Sequence, residues 1–195
     1  MEFYEKELFH IYNRGNNKQR IFFIPGNYIY FLEKVRKFIL PHCDILAWCL
    51  MPNHFHFLIK ADQRTMKTLI IGKQSRNSLS EGIRNLLQTY SKAINRQNKT
   101  TGSLFQQNTK AKSVSTGPET YGKTCLQYIH QNPLKAGIVQ RMEEWPYSSF
   151  QDYCGLRKGT LSNKDLAFQI LDLNETTFYE DSYKSLNDED VKNIF

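Results

Sequence analysis

Long hydrophobic runs are missing from this 195-residue chain. No apolar stretch approaches the roughly 20 residues that a membrane-spanning helix needs. The opening MEFYEKELFH is too charged for a secretory leader, so a cytoplasmic protein is expected. Cysteine is scarce. Cys43, Cys49, Cys125 and Cys154 are scattered and form no C-x-x-C pair, which argues against a disulfide framework and against a cysteine zinc cluster. There is no internal repeat, no low-complexity tract and no H-E-x-x-H signature. What is present is a composition of 40% hydrophobic and 13% aromatic residues, enough to bury a real core and to exclude a disordered chain. The length suits one domain with at most an appendage.

Negative charge is also scarce, but only locally. The chain carries a net charge of +7. Between Lys60 and Lys112 eleven Lys or Arg face only Asp62 and Glu81, whereas from Leu156 to Phe195 eight acidic residues outnumber five basic ones. A polyanion such as nucleic acid is therefore expected to meet the middle of the chain. The end reads as an acidic, partly helical extension, residues 156–195, appended to a domain of residues 1–155. A basic face that merely keeps the protein solvated is the plainer alternative.

The order of elements is mixed. ELFHIYNR alternates loosely and reads as a first strand. Turn formers follow, Gly15 to Asn17 and then Pro25 and Gly26. YIYFLEKVRKFIL has apolar residues at a helical period, with Asn27 as its N-cap and Pro41 beyond its end. DILAWCLM and HFHFLIK, separated by Pro52 and Asn53, read as an antiparallel hairpin. The stretch from Ala61 to Ser78 is polar and basic, without a clear period. A helix is expected from Leu79 to Gln97. The segment from Asn98 to Ser115 is rich in turn formers, with room for two short strands. Gly117 and Pro118 are expected to open a helix over 119–132, ended by Pro133. An aromatic segment, WPYSSFQDYCGL, should pack on the body, and Ser162 with Asp165 offers a capping box for a last helix. Strands and helices in this order predict an α+β fold on an antiparallel sheet.

Two histidines interrupt the apolar run MPNHFHFLIK. Side chains alternate along a strand, so His54, His56 and Leu58 share one face, and Phe55, Phe57 and Ile59 share the other. The imidazoles then stand about 7 Å apart along the strand, close enough for both to meet one cation, and neutral imidazole is a common metal ligand. The alternative is two surface histidines, or one surface and one core histidine. Two ligands make no site, and nothing adjacent in the chain supplies a third.

CLMPNHFHFLIK resembles the HUH motif, histidine–hydrophobic–histidine on a strand, of the single-tyrosine insertion-sequence transposases. Its MPNH lead-in resembles the REP-associated tyrosine transposase branch. FHIYNRGNNKQRIF, GSLFQQNTKAKSV, YIHQNPLKAGIV and EWPYSSFQDYCG agree in order and spacing, so the likeness covers about residues 3 to 155. The resemblance implies a ferredoxin-like α+β fold, with a catalytic tyrosine on a helix that faces the HxH strand. It implies single-stranded, hairpin-bearing DNA as substrate, Mg²⁺ or Mn²⁺ as cofactor, and a cytoplasmic, nucleoid-associated protein. His54 and His56 would be metal ligands, Tyr128 the nucleophile and Asn132 the third ligand, with Gln131 as the fallback. Residues four apart on a helix lie on one face, which would aim Tyr128 and Asn132 at the same point. Members of the family include both monomers and dimers with shared active sites, so a homodimer stays open.

The activity implied is metal-dependent cleavage and strand transfer through a 5′-phosphotyrosine. Arg14, Lys92, Arg96, Lys99, Lys110 and Lys112 are the candidate phosphate contacts. Tyr90 and Phe105 are candidates either to stack on an unpaired base or to pack in the core. Two further readings stay open: a non-cleaving protein that binds DNA hairpins on the same fold, and a metal-dependent hydrolase that uses water in place of tyrosine.

Overall fold

In the computed structural model, residues 1–72, 74–115 and 120–194 are described. The first strand, β1 (Leu8–Arg14), leads through a turn to helix α1 (Pro25–Phe38). Strands β2 (Asp44–Met51) and β3 (His54–Lys60) form the expected hairpin around Pro52 and Asn53. A single helical turn, α2 (Gln63–Met66), and a small hairpin of β4 (Thr68–Ile71) and β5 (Gln74–Asn77) precede the long helix α3 (Ser78–Asn98). Strand β6 (Lys110–Ser113) and helix α4 (Thr120–Lys135) follow. Four short helices complete the chain: α5 (Phe150–Tyr153), α6 (Lys164–Ile170), α7 (Phe178–Ser182) and α8 (Asp188–Asn193).

The main sheet runs β2-β3-β1-β6, antiparallel throughout. With α1 and α3 as its two crossovers, this is the βαββαβ arrangement of ferredoxin-like folds. Its two faces are both covered. Phe9, Ile11, Phe55, Phe57 and Ile59 point to one side, where Phe31 and Val35 of α1 and Ile83, Leu86 and Tyr90 of α3 close over them. A side chain at Gly82 would collide with the Phe38 carbonyl of α1, so this glycine permits the close approach of the two helices. On the other side Cys49, Met51 and Leu58 pack against Cys125, Leu126 and Ile129 of α4. The segment from 156 onward is packed onto this second layer, where Ala167, Leu171, Phe178 and Ile194 are buried. Among the described residues, no helix is long and apolar enough to cross a membrane.

Several local expectations need correcting. Helix α1 is capped at Ile24, with Pro25 as its first residue, where a missing N–H costs nothing. Asn27 is inside the helix, and its side-chain Oδ1 accepts the Phe23 and Ile24 amides. Helix α4 does not stop at Pro133 but continues to Lys135. It ends at Gly137 (φ +67°), with the Ile138 amide donating to the Pro133 carbonyl and the Gly137 amide to that of Leu134, a Schellman cap. The proposed opening of this helix at Gly117 and Pro118 lies outside the described residues. The last helices begin with Asn163, not Ser162, as the cap of α6. One strand, β6, rather than two, forms in the 98–115 segment, supplemented by a single bridge between Gly15 and Phe105.

Candidate active site

The register of the central strands assembles the site. Tyr12 pairs with His56, Arg14 with His54, and His10 with Leu58 across β1 and β3, while Lys110 pairs with Tyr12 and Lys112 with His10 across β1 and β6. Because alternate residues share a face, His10, Tyr12, Arg14, His54, His56, Lys110 and Lys112 all lie on the side of the sheet that carries α4. The Gln106 amide donates to the Arg14 carbonyl, which draws the loop before β6 along the end of β1. A cleft of about 480 Å³ opens here, lined by Tyr12, Asn13, Arg14, His54, His56, Gln106, Asn108, Lys110, Tyr128 and Asn132.

Tyr128 and Asn132 come from α4, more than seventy residues after the HxH strand, and both face the cleft. The Tyr128 ring stands edge-on to His56, with ring centroids 5.7 Å apart. The Asn132 side chain lies beside the His54 imidazole and the Tyr128 phenol, and its amide nitrogen donates to the Tyr128 main-chain carbonyl at 3.2 Å. Gln131 is turned away: its amide donates to the Ser182 and Lys184 carbonyls at 2.8 and 2.9 Å. The four residues singled out from the motifs are thus brought together within one chain, and the fallback is not among them.

Electrostatics favour a neutral, ligand-ready pair of imidazoles. Burial pushes His54 down to about 4, opposed by the bond from Asn132 and reinforced by the Arg14 cation. Burial, with His10 and His54 adding to it, drives His56 well below the ordinary histidine range. The Tyr128 phenol is pushed up from its ordinary value, first by burial, while the Asn132 bond pulls the other way, so it enters the cleft protonated at neutral pH. Among the described residues, no carboxylate lines the cleft and no three His, Cys, Asp or Glu side chains converge on a cation position. The donor set is two imidazoles and one amide oxygen. It fits a divalent ion that binds weakly until substrate phosphate oxygens complete its shell.

The basic candidates separate into two groups. Arg14 and Lys110 line the cleft, and Lys112 is exposed two residues along the same face. Lys92, Arg96 and Lys99 are exposed along or just beyond α3, whose apolar side is buried against the opposite face of the sheet. Tyr90 and Phe105 are core residues. Tyr90 is fully buried with its hydroxyl donating to the Ile21 carbonyl, and Phe105 packs with it.

Motif reading missed His10 and Tyr12. His10 is completely buried, its Nε2 2.8 Å from His56 Nδ1 and its Nδ1 2.8 Å from the Ile194 carbonyl. The Tyr12 ring lies 4.7 Å from that of His10 and 5.8 Å from that of His56. The available signal was alternation in FHIYNR, which already placed His10, Tyr12 and Arg14 on one face.

No family model matches the chain. It is similar to a Haemophilus influenzae protein provisionally named a REP-associated tyrosine transposase, 24% identical over 107 residues, which make up 55% of this chain and 58% of the relative. The chain thus spans a little over half the length of the curated relative it matches. Its fold is similar to the solved structure of a REP-associated tyrosine transposase bound to a REP hairpin, with a TM-score of 0.58, 15% identity, and coverage of 80% of this chain and 83% of the other. The likeness first seen in short motifs therefore extends to the sequence at length and to the fold.

Proposed function

We propose that this chain is a REP-associated tyrosine transposase that cuts and rejoins single-stranded, hairpin-bearing DNA through a 5′-phosphotyrosine. The observation that carries the proposal is the convergence of Tyr128 and Asn132 from α4 on His54 and His56 from β3, in one cleft with Arg14 and Lys110 at its wall. A protein that only bound DNA would have no use for a phenol beside two neutral imidazoles.

His54, His56 and Asn132 would hold Mg²⁺ or Mn²⁺, which when bound supplies Lewis-acid polarisation of the scissile phosphate and stabilises charge in the transition state. Arg14 and Lys110 draw the DNA backbone into the cleft; such contacts position the strand without reading its sequence. The Tyr128 oxygen attacks phosphorus in line. The new Oη–P bond forms as the P–O3′ bond breaks, and the phenol proton leaves as the departing 3′ oxygen gains one. The products are Tyr128 esterified to a 5′ phosphate and a free 3′ hydroxyl. The diester energy is retained, so a second 3′ hydroxyl can reverse the step without a nucleotide cofactor. The Asn132 side chain, bonded to the Tyr128 main-chain carbonyl and lying beside His54, would couple the position of the nucleophile to that of the ligand set.

The test is incubation of labelled single-stranded hairpin DNA with Mg²⁺ or Mn²⁺, wild type beside Tyr128→Phe. A covalent protein–DNA band is expected from wild type and not from the variant. Tight binding with no adduct from wild type would point to a binding protein, and cleavage that survives Tyr128→Phe would point to water as nucleophile.

A further inference from the structure

One wall of the cleft is a loop that the sheet holds in place. Between the pairing of Tyr12 with Lys110 and that of Gly15 with Phe105, β1 spends two residues, Asn13 and Arg14, and its partner four, Gln106 to Thr109. The surplus must bulge, and bulges beside active sites serve to re-aim side chains. This one is pinned at both ends. The Asn16 amide donates to the Leu104 carbonyl and the Gln106 amide to that of Arg14, each at 2.9 Å. Buried Asn13 spans the bulge from behind: its Nδ2 donates to the Gln106 carbonyl at 3.2 Å and to Thr109 Oγ1 at 2.9 Å, while its Oδ1 accepts the Arg14 amide. Leu104 and Phe105, just before the bulge, are buried. The result places the side chains of Gln106 and Asn108 in the cleft wall, next to Arg14 and Lys110, and leaves Gln107 exposed outside it.

We propose that Gln106 and Asn108 read an unpaired base beside the scissile phosphate and so set part of the DNA sequence this chain accepts. The inference rests on the reading of the cleft as a site for single-stranded DNA. Phosphate oxygens only accept, and Arg14 and Lys110 already offer them cations. A side-chain amide is uncharged and presents a donor beside an acceptor. That alternation matches a base edge better than a phosphate, and Asn or Gln can bond one base through both atoms at once. In a single strand the Watson–Crick edge is free to be met in this way. Asn13 is the third amide on this wall, but its hydrogen bonds are spent on the frame. Two amides carried on a pinned backbone have less freedom to lose on binding.

The test uses the full chain without divalent metal, so that DNA is bound and not cut. The probe is a fixed DNA hairpin flanked by a short randomised single strand; the retained molecules are sequenced. Wild type should favour one base at one randomised position by roughly 5- to 150-fold over the others. Gln106→Ala and Asn108→Ala should each flatten that preference while total retention changes little. Both side chains are exposed and the bonds that pin the bulge are main-chain or Asn13 bonds, so neither change removes a support of the fold. Lys110→Gln, a phosphate contact, should lower the retention of all sequences together. Gln107→Ala should leave both retention and preference as they are. Retention with no preferred base at any position overturns the proposal, as does a preference that survives both alanine variants or that Gln107→Ala flattens equally. Wild type that retains no DNA defeats the transposase reading as well. A preference that responds as stated, in a chain that forms no covalent adduct when Mg²⁺ or Mn²⁺ is added, supports base reading and overturns the cleavage reading alone.

Discussion

On the proposed function, the division of the basic residues between two layers should make a measurable difference to how DNA binding responds to salt. Each phosphate contact made to a single strand contributes about 0.7 to the slope of log affinity against log salt concentration. Arg14, Lys110 and Lys112 share the face of the sheet that forms the cleft. Replacing all three with Gln should lower the slope by about 2, from three such increments. Over a fourfold rise in salt, such as about 50 to 200 mM, wild type would then lose roughly 16-fold more affinity than the triple variant. A short oligonucleotide without a hairpin, followed by fluorescence anisotropy at several salt concentrations, makes the comparison. The matching variant, Lys92→Gln, Arg96→Gln, Lys99→Gln, should leave that slope nearly unchanged, because α3 lies against the opposite face. Equal reductions from the two triples would refute the argument, as would a cleft triple with an unaltered slope.

Acid should destabilise the fold through its buried neutral histidines. His10 and His54 are lowered to about 4 and His130 to about 3, each first by burial. The unfolded chain takes up protons from about pH 6.5 downward while the folded chain refuses them. Stability is thus complete above that pH and falls as pH drops towards 4, by about 3 kcal/mol for each such histidine. Urea midpoints across this range should show it, and His130→Gln should reduce the pH slope by about 1.4 kcal/mol per unit; an unchanged slope would show that His130 is not held neutral. Gly137→Ala should cost about 1 kcal/mol in thermal unfolding, because its positive φ ends α4 while open space surrounds the added methyl. Asn132→Asp adds a negative charge to a donor set that has none and should tighten Mn²⁺ binding in the absence of DNA. Calorimetry showing no gain would argue that Asn132 faces no cation.

The β2–β3 hairpin and α3 were legible where periodicity was strong, whereas the sheet arrangement was implied only by the family resemblance. HFHFLIK alternates cleanly, Pro52-Asn53 marks its turn, and α3 shows a long helical stripe, so these elements appeared close to their expected bounds. The β4–β5 hairpin escaped notice because its strands are short and neither alternates: β4 is a continuous apolar run, TLII, and β5, QSRN, is wholly polar. Pro133 misled because proline removes only its own amide bond; Leu126 and Ile129 pack before it, Leu134 packs after it, and the Ala136 amide donates to the Asn132 carbonyl across it. His10 was hidden for a different reason. Its place behind His56 depends on the pairing of β1 with β3 and on the docking of a carbonyl 184 residues away in sequence, and neither can be computed from local pattern. The resemblance alone placed Asn132 ahead of Gln131; which of the two faces the cleft depends on the rotation of the helix, which the tail and the sheet set together.

The contacts of that tail have a consequence for strand traffic. Gln127 donates to the Asp181 carbonyl and Gln131 to those of Ser182 and Lys184, while Phe178 and Leu171 seal the same side of α4. Swinging the helix out would break three hydrogen bonds, each worth about 1 kcal/mol net, and would expose two large apolar side chains. On the proposed function, a DNA end esterified to Tyr128 would therefore be moored. It would stay beside His54 and His56, and the proposed rejoining would proceed by delivery of the next 3′ hydroxyl to a stationary phosphotyrosine, not by travel of the tyrosine with its cargo.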